Sequence, residues 1–270
     1  MRYGYYAPNF DVCGDASVLA DLAAAAEDAG WDGFFIWDHL QFIEPAVDPW
    51  IALTAMALRT RRILLGTLVT PVPRRHIAKL AREVISLDRL SQGRVVLGAG
   101  AGFPHLPDYA DFGDQTDRIS RAAKLDEGLH LLDRFMSGDP ISHDGAHYRV
   151  HCAAFQRPIQ LPRVPIWVAA AWPARKPLER ALRWDGVVPV GRMGLEVAAQ
   201  DIAAIRAYVA ERRDKPIDIT CFGITRTADD LERVRSCHAA GATWWIEYYD
   251  HRNGSLSTLR RRLELGPPRI

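Results

Sequence analysis

Apolar residues in the first hundred positions fall into two alternating spacings. Short continuous runs at Tyr3–Pro8, Gly33–Trp37, Ile63–Val69 and Val95–Ala99 lack the in–out alternation of a half-exposed strand, and so predict parallel strands buried on both faces. The stretches between them carry apolar residues three and four apart, which places one stripe on a helix. In the first of these, Asp15 offers a cap, Val18, Leu19 and Leu22 form the stripe, and Gly30 closes. The second opens at Asp48-Pro49 and ends among Arg59, Arg61 and Arg62, cations suited to a helix carboxyl end. The third runs from Ile77 through Leu80, Val84 and Leu87 to Leu90, with Gly93 as its stop. Strand starts recur about every thirty residues, the length of one βαβ unit.

After Gly102 the rhythm breaks. Roughly sixty residues pass before the next strand, Pro165–Ala170, about twice the usual repeat. This excursion, residues 103–164, begins polar and aromatic, continues as a helix carrying Leu125, Leu129 and Leu132, and holds a hairpin turn at Asp144-Gly145. Alternation then resumes, with helices at Leu178–Trp184, Val197–Arg212 and Asp229–Ala240 between strands at Gly186–Val190, Ile217–Ile224 and Thr243–Tyr248. Eight even units predict an α/β chain closed into a (β/α)8 TIM barrel, rather than an open doubly wound sheet, with residues 1–270 as one domain and the excursion inserted between strands 4 and 5.

Composition narrows the partners. With 34 basic and 33 acidic residues in 270, the net charge of +1 supplies no overall field for nucleic acid or an anionic membrane. No uninterrupted apolar stretch is long enough to span a bilayer, and the first ten residues lack a signal-peptide core, so the expected location is the cytoplasm. The four cysteines show no metal-ligand spacing, which predicts reduced, structural thiols and no metal site.

In such a barrel the chemistry sits at the strand carboxyl ends. Trp37-Asp38-His39 ends the second strand, an imidazole able to change protonation with a carboxylate beside it to orient the ring. The competing reading is a capped loop with a satisfied histidine. Gly66-Thr67-Leu68-Val69-Thr70-Pro71 ends the third strand, where small and hydroxyl residues allow a bulge and the approach of a planar ligand, or simply a rigid turn. Arg74 and Arg75 follow, able to pair with an anion or to lie in solvent. Gly98, Gly100 and Gly102 let backbone reach a ligand but do not form the dinucleotide GxGxxG spacing. After the fifth strand, Ala170-Ala171 lead to Arg175 and Lys176 at a helix start, a pattern suited to phosphate. Glu247 near the end of the eighth strand is a candidate polar contact for substrate, as is Trp37.

Taken together, Asp38-His39, the stretch Gly66–Gly100 with Lys79-Leu80-Ala81-Arg82-Glu83 and Leu87–Arg94, the Trp172-Pro173 to Lys176-Pro177 loop, and Arg183-Trp184-Asp185-Gly186 resemble the luciferase-like monooxygenase superfamily, including its deazaflavin-dependent branch. The resemblance implies an oxidoreductase or monooxygenase that binds FMN or the deazaflavin coenzyme F420, the latter preferred. It implies a bulge near Thr67-Leu68, with a non-prolyl cis peptide, behind the ring, His39 at the reactive part of the ring with Asp38 orienting it, and Thr67, Leu68, Gly98, Gly100, Gly102, Ala170, Ala171, Arg175 and Lys176 holding ring and phosphate. It further implies a homodimer, a small apolar or aromatic substrate and, with FMN, a flavin reductase as partner. The chain departs from some deazaflavin dehydrogenases in having Phe103-Pro104-His105 where they carry a glutamate acid, which argues against a sugar phosphate as substrate. Two alternatives stay open: a flavin-binding homologue without turnover, and a cofactor-free barrel lyase or isomerase acting on a phosphorylated substrate.

Overall fold

The computed structural model of the protein describes residues 1–42, 44–103, 107–191, 194–249 and 254–270. In chain order its strands are β1 (Arg2–Ala7), β2 (Gly33–Ile36), β3 (Leu64–Pro71), β4 (Val95–Gly100), β5 (Ile141–Asp144), β6 (Arg149–Cys152), β7 (Ile166–Ala171), β8 (Gly186–Val190), β9 (Asp218–Gly223) and β10 (Trp244–Tyr248). The helices are α1 (Ala16–Asp28), α2 (Pro49–Arg59), α3 (Ile77–Leu90), α4 (Pro107–Ala110), α5 (Arg118–Ser137), α6 (Arg175–Ala181), α7 (Ala199–Ala210), α8 (Glu232–Ala239) and α9 (Leu256–Glu264).

Eight strands close into a parallel barrel in the order β1-β10-β9-β8-β7-β4-β3-β2, the (β/α)8 arrangement the pattern predicts. Closure is made by β1, which pairs with both ends of the series: Gly4 lies opposite Gly33 on one side and Ile246 on the other. The excursion between β4 and β7 contributes α4, α5 and the antiparallel hairpin β5–β6, turned at Gly145 as Asp144-Gly145 predicts.

The expected caps form. Asp15 accepts from the Ser17 amide, Asp48 from the Trp50 and Ile51 amides just before Pro49, and Gly30 and Gly93 take positive φ behind α1 and α3. Two apolar cores result. Inside the barrel, Tyr6, Phe35, Val96, Trp167, Phe222 and Trp244 fill the bore. A larger core between strands and helices contains Leu19, Leu53, Val84, Leu97, Leu129 and Ile205. Successive strand residues alternate between these cores, so Trp244 and Ile246 point inward and Trp245 outward.

Two cysteines depart from expectation. Cys221 of β9 and Cys237 of α8 are joined as a disulfide across a Cα–Cα separation of 6.5 Å, since the outer face of the strand meets the inner face of the helix that follows it. Cys13 and Cys152 are free. Among the described residues no cluster of ligands suited to a metal ion occurs, and no helix is long and apolar enough to cross a membrane.

Candidate active site

A bulge on β3 shapes one wall of the site. Strands β3 and β4 run in register to Thr67 opposite Leu97 and resume at Thr70 opposite Ala99, so β3 carries one residue more than its neighbour. Leu68 and Val69 occupy the bulge, joined by a cis peptide, and both line a cavity at the barrel rim. The Tyr6 hydroxyl donates to the Leu68 carbonyl at 2.5 Å and anchors the bulge from inside the bore. Burial, with Asp38 nearby, raises the Tyr6 pKa well above its ordinary value, so this phenol stays a donor. Behind the wall, Thr67 bonds Thr70 hydroxyl to hydroxyl at 2.8 Å. A Cβ on Gly98 would stand 2.0 Å from the Thr67 carbonyl oxygen, so only glycine lets β4 approach the bulge.

The cavity has a volume of about 610 Å³, within the range of small-molecule sites. Its apolar walls include Trp37, Leu68, Val69, Ala171, Val190 and Leu195, and Gly100, Ala101 and Gly102 present backbone at its edge. Trp37 stacks on Tyr6 with ring centroids 5.7 Å apart.

His39 lines the same cavity, and its Nδ1 hydrogen-bonds the carboxylate of Asp108 on α4. The carboxylate also accepts from the Leu40 and Gln41 amides at 2.9 and 3.0 Å and lies 3.0 Å from Arg74 Nη1. Burial opposes its charge, but the hydrogen bonds from His39 and Gln41 and the charges of His39 and Arg74 prevail, holding the carboxyl below its usual range. With a carboxylate accepting at Nδ1, that nitrogen carries the proton, and Nε2 is the atom left for a ligand.

Asp38 is therefore not the orienting partner. Its buried carboxylate takes Arg74 Nη2 and Arg75 Nη2, each at 2.7 Å. Trp37 and His39 lie in ring contact, while the side chain between them turns to the cations of the β3–α3 connection. Arg74 bridges the two carboxylates, so Arg74 and Arg75 are paired rather than solvated.

The phosphate expectation after the fifth barrel strand is also revised. Ala171 lines the cavity but Ala170 is buried in the outer core. Arg175 and Lys176 are exposed outside the cavity, Arg175 lying over the Trp172 and Tyr208 rings. The cation that α6 brings to the cavity is Arg180, bound to Asp126 at 2.8 Å. Glu247 is not at the mouth: it follows Trp245 onto the outer face, where Thr225, the Trp245 indole and Arg262 enclose it. Gly100 and Gly102 line the cavity, whereas Thr67 and Gly98 stand behind it. Phe103 lines it too; Pro104 and His105 lie outside the described residues.

Three functional candidates escaped the sequence reading: Asp108, Arg118 and Arg121, all from the excursion and all lining the cavity. A signal for the arginines existed, since Arg118 and Arg121 stand one turn apart behind the cap Asp117. Asp108 carried none, because nothing in a polar loop marks which carboxylate will meet a histidine 69 positions earlier.

Comparison with known proteins agrees with this architecture. The family model described as luciferase-like monooxygenase matches residues 1–267. An F420-dependent glucose-6-phosphate dehydrogenase of Beutenbergia cavernae is 32% identical over 248 residues, 88% of this chain and 71% of that protein. One of the same description from Nakamurella multipartita is 36% identical over 184 residues, 64% of this chain, and the match spans only 52% of that relative. Among solved structures, a coenzyme F420-dependent tetrahydromethanopterin reductase of Methanopyrus kandleri superposes with a TM-score of 0.77 at 17% identity, covering 98% of both chains. A monooxygenase of Streptomyces bottropensis gives 0.77 at 20% identity, covering 98% of this chain and 97% of its own. At such identities the structures speak for the fold alone.

Proposed function

Since the chain belongs to the luciferase-like monooxygenase family, we propose that it is an oxidoreductase using a flavin-type cofactor, the deazaflavin coenzyme F420 in preference to FMN, on a small organic substrate. The observation that carries this reading is the pairing of an apolar slot, walled by Leu68 and Val69 on the β3 bulge, with an imidazole fixed at its edge by Asp108. The residues present fit such a ring. Leu68, Val69, Trp37, Val190 and Leu195 give the slot apolar walls, Gly100 and Gly102 add no side chain, and a Cβ at Gly100 would already meet Val69 Cγ2 at 2.7 Å. The names of the relatives from Beutenbergia and Nakamurella support F420 over FMN.

The bound cofactor would supply hydride transfer or, as reduced FMN, oxygen activation. The protein's own part is to flank the ring with Leu68, Val69 and Trp37, and to exclude water. It also offers Nε2 of His39 as the atom that gives or takes a proton. Asp108 is a positioning residue acting through Nδ1. Asp38 positions one step further away by fixing Arg74. We place the whole of residues 1–270 in one functional domain, in which the front of the 103–164 excursion, through Phe103, Asp108, Arg118 and Leu125, lines the cavity at the barrel mouth. The family reading adds a homodimer, a cytoplasmic location, an apolar or aromatic substrate and, with FMN, a flavin reductase partner.

Titration of the purified protein with F420 and with FMN tests the reading, with binding of F420 expected. His39→Ala should lower turnover by about 10²-fold or more while changing cofactor affinity little. Turnover equal to wild type would remove His39 from the chemistry, and binding of neither cofactor would end the proposal.

A further inference from the structure

Asp108 holds His39 through Nδ1, and a single hydrogen bond fixes one atom of an imidazole without fixing the plane of its ring. Aromatic neighbours bear on that plane. Trp37 lies 5.5 Å from the His39 ring centroid at 58°, and Phe42, in the same β2–α2 connection, lies 5.2 Å away at 35°. Trp37 and Phe42 also meet each other edge to face, at 5.5 Å and 74°. Both rings rest against Phe10 of the β1–α1 connection, which is 1% exposed and lies 4.7 Å from Phe42 and 5.3 Å from Trp37. Tilted and edge-to-face pairs at such separations are favourable beyond the apolar area they bury.

The backbone that carries Phe42 is tied down on both sides. Ahead of it, the Leu40 and Gln41 amides donate to Asp108. Beyond it, buried Asn9 donates from Nδ2 to the Val47 carbonyl at 2.7 Å, and the Val47 amide donates to the Asn9 carbonyl at 2.8 Å. Phe10 and Ala46 form an antiparallel bridge between the same two connections. The excursion thus fixes the near end of this stretch and the β1–α1 connection fixes the far end.

We propose that Phe42, seated on Phe10, is a positioning residue: with Trp37 it forms an aromatic wall that sets the plane of the His39 ring, and so the direction in which Nε2 points. Carboxylate and wall act on different coordinates. Asp108 selects which nitrogen carries the proton, and the wall selects where the other nitrogen aims. A reacting group must be held to within about 0.5 Å and 10–20° of its productive geometry by packed neighbours as well as by hydrogen bonds. Leucine at position 42 would keep apolar bulk and lose the flat face, whereas tyrosine would keep the face.

The inference rests on the reading of His39 as the proton-transfer group, and the experiment separates the two. Histidine labelled with nitrogen-15 and carbon-13 is followed in wild type, Phe42→Leu and Phe42→Tyr, with His39→Ala to assign the signals and thermal melting to check each fold. Phe10→Leu, which acts on His39 only through its neighbours, is the second route to the same wall. In Phe42→Leu the neutral ring should keep its Nδ1–H tautomer while the order parameter of the His39 ring falls from about 0.85 to below about 0.6. Phe42→Tyr should keep both, and Phe10→Leu should lower the order in part. Turnover is read with F420 and propan-2-ol and with reduced F420 and cyclohexenone. There Phe42→Leu should lower kcat about tenfold or more with KM changed less than about twofold, and Phe42→Tyr should restore it. Wild-type turnover in His39→Ala would end the proton-transfer reading, and ring order decides the wall whether or not either probe is turned over. A His39 ring as ordered in Phe42→Leu as in wild type, a loss of the tautomer together with the order, or a tyrosine variant as mobile as the leucine one overturns the proposal.

Discussion

Replacing Asp108 by asparagine alters a single atom type at the point where the excursion meets the barrel. The carboxylate holds the Leu40 and Gln41 amides on Oδ1 at 2.9 and 3.0 Å and His39 Nδ1 on Oδ2. Asparagine keeps the two amides on its oxygen, but its nitrogen, a donor, then faces Nδ1. Two donors cannot share that line, so the imidazole must move its proton to Nε2, the nitrogen proposed above for proton transfer. One charge-assisted hydrogen bond is worth about 1.5–3 kcal/mol; the 3.0 Å approach of Arg74 Nη1 to the same oxygen is lost too, although Arg74 keeps Asp38, so a loss of at least about 2 kcal/mol is expected. For a chain of this size that lowers the melting temperature by about 4–8 °C. Nitrogen-15 spectra of labelled histidine read the tautomer of the neutral ring directly, without a substrate: Nδ1–H in wild type, Nε2–H in the variant. Turnover should fall by about 10²-fold or more, because the nitrogen offered to the ligand has become the wrong kind. A variant that keeps the Nδ1–H tautomer and melts within a degree or so of wild type would refute the assignment of Asp108 to His39.

Two further outcomes follow from packing and burial. Gly98→Ala sets a Cβ 2.0 Å from a backbone oxygen and should cost about 3 kcal/mol in urea unfolding, whereas Gly113→Ala, with open space but φ +75°, should cost about 1–2 kcal/mol; equal losses would contradict the close approach of β4 to the bulge. Burial pushes the Glu247 carboxyl up from 4.5, against Arg262 and the hydrogen bonds from Thr225 and Trp245. A raised carboxyl stabilises the fold below its unfolded pKa, and that contribution is lost as pH rises through the folded value. Asp108, held low, acts oppositely: its contribution is present above the unfolded value and lost as pH falls. Glu247→Gln should flatten the decline in urea midpoint above about pH 4.5, and an unchanged slope would show that Glu247 ionises freely in the fold.

The barrel was legible in the chain because its strands are buried on both faces and read as unbroken apolar runs, and because Asp15, Asp48, Gly30 and Gly93 mark helix ends locally. The site was legible only where one segment builds it, as at the β3 bulge. Glu247 was misplaced by pleat parity: one residue along β10 separates the bore from the outer core, and a strand end read to within a residue or two cannot fix that. Asp38 was misassigned because neighbours in sequence at a strand end diverge in space. Arg175 and Lys176 looked like an anion site by their place before a helix, yet the aromatic faces of Trp172 and Tyr208 hold Arg175 away. Asp108 and Arg121 depend on where a long connection folds back, and local pattern does not encode that.

The contact between Asp108 and His39 ties a segment outside the eightfold repeat to the imidazole at the cavity. Recasting what this scaffold accepts thus amounts to replacing the connection after β4, with the strands left untouched. Any transplanted connection would have to arrive with an acceptor for one imidazole nitrogen and two consecutive amides, or the graft would inherit a pocket whose histidine points its proton the wrong way.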